Sequence, residues 1–159
     1  MFKKHNFPVI FSVVLALVLL MGNAIPTQAQ IKTVKPLYER LGGYDAIAAV
    51  VDDFIQRLAT DAKLSRFFVG HSTDSLKKIR QLIVDQLCAA TGGPCIYIGR
   101  DMKTAHAGLG ISEEEWNASV IHLVATLDKF KVPQKEKDEV VGAIAGFKGD
   151  IVESKMTKK

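Results

Sequence analysis

A chain of 159 residues, 48% of them apolar and with a formal charge of +4, is long enough for one domain with a true core and too short for two comfortable ones. Its basic side chains form no stripe, which disfavours nucleic acid as a partner. Neither the number nor the spacing of Cys88 and Cys95, its two cysteines, fits a zinc site.

The first thirty residues stand apart. Lys3, Lys4 and His5 precede the apolar run FPVIFSVVLALVLLMG and then NAIPTQAQ. A basic start, a hydrophobic middle and a small-residue exit make a secretory signal, with cleavage expected after Ala29. The expected organisation is a signal over residues 1–29 and one domain over residues 30–159. The protein is then exported, periplasmic or extracellular, with no stable membrane insertion. The alternative is a retained anchor, since the run approaches bilayer-spanning length. No cysteine follows the run, which disfavours a lipid anchor. Lys3 and Lys4 leave with the signal, so the 21 basic side chains fall to 19 against 17 acids.

Past a short leader, Pro36 suits the first turn of a helix, and LYERL makes a short one ended by Gly42 and Gly43. From Tyr44, residues Ile47, Val50, Val51, Phe54, Ile55 and Leu58 recur at helical spacing, with Asp52, Asp53, Gln56 and Arg57 opposite on a solvated face. AKLSRFF adds a turn or two, and a polar loop holds His71. Thr73 or Asp74 can cap the next helix, whose apolar face carries Leu76, Ile79, Leu82, Ile83, Leu87 and Ala90. Gly92, Gly93 and Pro94 stop it. Cys88 and Cys95 flank that turn, either closing a small loop or sitting as two buried thiols.

CIYIG is a brief extended link before the segment that carries His106. Ser112 ahead of Glu113, Glu114 and Glu115 starts a capped helix running to about Phe130. Beyond Pro133 one last helix presents Val140, Val141, Ile144, Phe147 and Ile151, and the lysine-rich tail is expected to fray. With no strand-like alternation longer than CIYIG, the fold class is all-α with five or six helices.

His71 reads as exposed and His122 as a packed histidine bonded to a neighbour. His106 follows Met102 by four residues, on one helical face, and Gly108 and Gly110 turn the chain behind it. A histidine near the end of a short helix can hold a metal-centred cofactor by one nitrogen while a backbone carbonyl orients the other. Spacing alone leaves that reading beside a merely packed side chain. No G-x-S-x-G, H-E-x-x-H, phosphate loop or Cys-x-x-Cys occurs, and without Cys-x-x-Cys-His there is no covalent c-type attachment motif.

Taken in order, LYERLGGYDAIAAVVDDF, then Phe67 and Phe68, then GGPCIYIGRDMKTAHAGLGIS resemble the truncated haemoglobins, group I, over residues 36–152. The resemblance implies a shortened globin, two helices on two around haem b, that reversibly binds dioxygen, carbon monoxide and nitric oxide. It makes His106 the proximal iron ligand and Phe68 a packing partner of the haem, and it places Phe54, Tyr97 and Met102 at the pocket. Oxygen binding and transport, gas sensing, or nitric oxide dioxygenation with a reductase partner are the roles it implies. A helical interaction protein without cofactor is the alternative.

Ile55 stands where the family commonly has a distal tyrosine. On the facing helix, counting from Phe67 and Phe68 puts Leu76 and Arg80 over the iron, whereas counting from Gly92 and Gly93 puts Ile79 and Ile83 there. Helical spacing and apolarity favour the second, with Leu76 close by and Gln86 one turn further on. A distal donor prolongs oxygen binding by about 1–2 kcal/mol. Unless Gln86, His71 or water supplies one, the expectation is fast oxygen release and comparatively better carbon monoxide binding.

Overall fold

The computed structural model describes residues 34–153. The expected signal over residues 1–29 and the lysine-rich tail lie outside the described residues. The elements are α1 (Leu37–Arg40), α2 (Gly43–Thr60), a 3-10 turn (Ser65–Phe67), α3 (Thr73–Ala90), α4 (Met102–His106), α5 (Glu113–Lys129), α6 (Gln134–Ala145) and α7 (Lys148–Ile151). Among the described residues there is no strand, and no helix is long and apolar enough to cross a membrane.

Local chemistry explains most of the boundaries, and three differ from expectation. Pro36 caps α1 from just outside it, with φ −49° and extended ψ. Ser72, not Thr73 or Asp74, caps α3, because an N-cap needs non-helical backbone and Ser72 alone of the three has it. Its hydroxyl accepts the Ser75 N–H at 3.2 Å. The expected final helix is split into α6 and α7 at Gly146 and Phe147, where hydrogen bonds tighten to the three-residue spacing of Phe147 N–H to Ile144 O, 3.0 Å. Glycine is a poor helix former, and the break lets α7 pack on α4.

At α5 the expected start is a complete capping box. The Ser112 hydroxyl accepts the Glu115 N–H, and Glu115 Oε2 accepts from the Ser112 N–H at 2.9 Å. Arg66 adds a charged bond to Glu115 Oε1 at 2.8 Å. Together they hold the Glu115 carboxyl down at about 2, Arg66 contributing most.

Two cores share α2. On one side Ile47 and Val51 meet Val84 and Cys88 of α3, with Ile55, Ile83 and Leu87 packed around them. On the other, Val50 and Phe54 join Leu123 and Leu127 of α5 and Val140 of α6. Each fully buried aliphatic side chain here contributes about 1.5–3 kcal/mol. The α2–α3 pair thus lies against the α5–α6 pair through the α2–α5 contact, a two-on-two helical sandwich.

Asp53 does not lie on a solvated face as expected. Its carboxylate is nearly buried, accepting from Arg57 Nε at 2.6 Å, from the Thr126 hydroxyl at 3.1 Å and from Lys129. The helix turns it toward α5 because position 53 lies one turn from Val50, at the edge of the stripe that faces α5. Lys129 and Arg57 hold its carboxyl down at about 2.

The cysteines form a disulfide between Cys88 and Cys95, with Cα atoms 5.7 Å apart, so α3 is tied to the following link and the two-thiol alternative is excluded. Gly93 is the residue this turn requires. A Cβ there would lie 2.5 Å from the Tyr38 ring, 2.7 Å from Cys88 Sγ and 2.8 Å from Cys88 O. Its N–H donates to Cys88 O at 2.8 Å.

Two outcomes follow from these contacts. Gly93→Ala should cost about 1–3 kcal/mol by overpacking, read by urea denaturation. A carboxyl depressed on folding stabilises above its unfolded value, and that stability is lost as pH falls from the ordinary 4.5 of Glu115 toward about 2. Urea midpoints measured across that window should fall less steeply for Glu115→Gln than for the unaltered chain, with the Asp53 contribution remaining.

Candidate functional site

His106 closes α4, a helix of one turn. Asp101 caps that turn, accepting the Thr104 N–H and the Thr104 hydroxyl at 2.8 Å each, and these bonds hold the Asp101 carboxyl below the usual carboxylate range. Four residues of helical rise bring the Met102 carbonyl under the imidazole, with His106 Nδ1 2.8 Å from Met102 O. A carbonyl only accepts, so Nδ1 carries the hydrogen, and in the neutral imidazole Nε2 is the nitrogen left with a lone pair. Among the described residues no group bonds Nε2. The ring is half-buried, and the chain turns away at Gly108, whose φ of +80° suits glycine.

Tyr97 is half-buried on the link to α4. Its hydroxyl donates to Arg100 O at 2.6 Å, and its ring lies so close over Gly99 that no Cβ would fit there. Burial raises the phenol above its ordinary value. Ile96 and Ile98, its neighbours in sequence, point outward.

Ile55 of α2 and Ile83 of α3 are brought together against the same core. Leu76, Ile79, Ile83 and Gln86 recur at three- and four-residue spacing along α3 and are half-buried. Arg80 is engaged elsewhere. Its Nε and a terminal nitrogen donate to the two carboxylate oxygens of Asp52 at 2.5 and 2.8 Å, a bidentate pair on the surface between α2 and α3. Phe54 joins the α5–α6 core, and Phe68 is half-buried just beyond the 3-10 turn.

Gln86 Oε1 is enclosed and makes no hydrogen bond to the described residues. His71 is exposed. His122 is, as expected, a packed histidine with a neighbour, its Nε2 2.8 Å from Asp61 Oδ2, and that bond is the main cause that lowers the Asp61 carboxyl. The Met102 carbonyl is the feature that residue types alone conceal, because its role is played by backbone. The four-residue interval to His106 was the available signal.

The donor set fits a haem. An imidazole oriented through Nδ1 by a carbonyl offers Nε2 to iron, and the half-buried aliphatic and aromatic residues of α2, α3 and the 3-10 turn suit a flat apolar macrocycle.

Helix order, the paired packing and a histidine closing a one-turn helix define a shortened globin. The Bacterial-like globin family matches residues 36–153, and the chain belongs to that family, as a group 1 truncated haemoglobin. It is 36% identical over 115 residues to the Group 1 truncated hemoglobin GlbN of Mycolicibacterium paratuberculosis, covering 72% of this chain and 82% of that one. With the corresponding protein of Nostoc commune it shares 34% over 116 residues, 73% of this chain and 96% of the relative. The crystal structure of truncated hemoglobin from Tetrahymena pyriformis in its Fe(III) form superposes with a TM-score of 0.69 at 28% identity, covering 76% of this chain and all of that one (100%). The 2/2 hemoglobin from Synechococcus sp. PCC 7002, solved in the cyanomet state with covalently attached heme, gives 0.68 at 31% identity, covering 74% and 98%.

Proposed function

We propose that this chain binds haem b through His106 and reversibly takes up dioxygen, carbon monoxide and nitric oxide, serving oxygen binding and transport or gas sensing. Haem-based gas binding is what membership of the family implies. The observation that carries the assignment is the 2.8 Å bond from His106 Nδ1 to Met102 O, which leaves the Nε2 lone pair for iron. The haem supplies the iron at which diatomic gases bind.

The remaining roles belong to the chain. Met102 O orients the imidazole. Phe54, Phe68, Met102 and Tyr97 shape the haem crevice and exclude water. Ile55, Leu76, Ile79 and Ile83 form the opposite, apolar wall. Engagement of Arg80 by Asp52 supports the register that places Ile79 and Ile83 there. The absence of Cys-x-x-Cys-His from the sequence supports a haem held without thioether links.

That wall carries no hydroxyl, so oxygen leaves quickly, with the Gln86 amide as the nearest polar group along the same helix face. Fast release weighs against nitric oxide dioxygenation and the reductase it needs. The disulfide supports a working place outside the reducing cytoplasm, after export and signal removal, periplasmic or extracellular.

His106→Ala should abolish the five-coordinate ferrous absorption spectrum, and its retention would reject the ligand assignment. Ile55→Tyr, by restoring a donor worth about 1–2 kcal/mol, should slow oxygen dissociation roughly five- to thirtyfold in stopped-flow measurements. An unchanged rate in that variant would reject the apolar-wall account.

A further inference from the structure

The loop that leaves His106 has little packing to hold it. Residues 107–110 are exposed, Gly108 and Gly110 have φ of +80° and +61°, and α4 contains no buried residue. Segments of this kind open at low free-energy cost. Yet the imidazole that α4 presents has to be held in one direction to ligate a metal.

Two charged side chains from distant parts of the chain grip the loop backbone. Glu153, just past α7, accepts the Gly108 N–H through Oε1 at 2.5 Å, and its own N–H donates to Ile111 O at 2.9 Å. Arg66, in the 3-10 turn, donates to Leu109 O at 3.3 Å and to Gly110 O at 3.2 Å. Its Nε is anchored on Glu115, inside the capping box of α5, and its guanidinium lies 4.0 Å over the Phe67 ring. Within the loop, the Leu109 N–H returns to His106 O at 3.2 Å. A shift of the gripped backbone therefore reaches the last residue of α4 directly.

We propose that Arg66 and Glu153 are positioning residues for His106. They clamp the glycine loop so that α4 presents the imidazole in a fixed direction, and Arg66 ties that direction to the turn bearing Phe67 and Phe68. The inference rests on His106 as axial ligand. Charge-assisted bonds to backbone replace the buried side chains that this short helix lacks.

The test compares haem-loaded ferrous protein and the haem-free chain for Arg66→Ala, Arg66→Lys, Glu153→Ala and Glu153→Gln. Glu153 is exposed, so thermal melting of its variants should change little, whereas Arg66→Ala also frees Glu115 and should melt lower. Amide exchange at residues 108–111 should rise about tenfold in the alanine variants. The iron–histidine stretching band in resonance Raman should shift or broaden with it. Glu153→Gln, which keeps an oxygen acceptor, should restore most of both signals, whereas Arg66→Lys, with no planar fork, should not.

A loop whose exchange is unchanged, or one that loosens while the band stays fixed, would overturn the positioning role. Absence of any iron–histidine band in the unaltered protein would instead overturn the axial reading and the purpose of the clamp with it. Exchange in the haem-free chain separates the two failures.

Discussion

Helix α2 has to bury two faces at once, and the placement of every other element answers to that demand. Ile47, Val51 and Ile55 call for α3 on one side, while Val50 and Phe54 call for α5 and α6 on the other. A helix apolar on so wide a stripe cannot rest on a surface, and burying only one face would leave several aliphatic side chains in water at about 1.5–3 kcal/mol each. Asp53 lies at the outer edge of the second face and is accommodated because Arg57, Thr126 and Lys129 surround its carboxylate. The same helix brings Ile55 to the core against which Ile83 also packs.

The two walls of the proposed haem crevice are built on opposite physical principles. The His106 side is polar and backbone-made: a carbonyl fixes the ring, Asp101 caps its helix, and charged side chains grip the loop beyond. The facing wall is apolar and owes its place to core packing. Tethering of α3 to the Tyr97 link by the disulfide reduces the freedom of the chain that joins the two walls. On the proposed reading, fixation of the haem is separated from retention of its gas ligand, and the directional bonds serve the former.

Much of this was legible before any coordinates. Helical periodicity located α2, α3 and α5, and Ser112 with Glu115 announced a capping box. The interval from Met102 to His106 left a ligand beside a merely packed side chain, and it was the resemblance of the surrounding glycine-punctuated motifs that singled out the candidate. What escaped did so for specific reasons. Asp53 sits at the edge of an apolar stripe, where periodicity cannot distinguish a solvated carboxylate from one enclosed by a helix yet to be packed. The split at Gly146 depends on where α7 must go to meet α4. Arg66 and Glu153 act on backbone atoms more than forty residues away, at separations of 43–45 residues, and no local pattern reports such a contact.

Titrating the haem-free chain with haem and following the visible spectrum tests the central claim most directly. The account predicts a sharp Soret band that saturates at about one haem per chain, as expected for a single histidine-ligated site. A chain that stays colourless, or takes up haem without a defined end point, would contradict it.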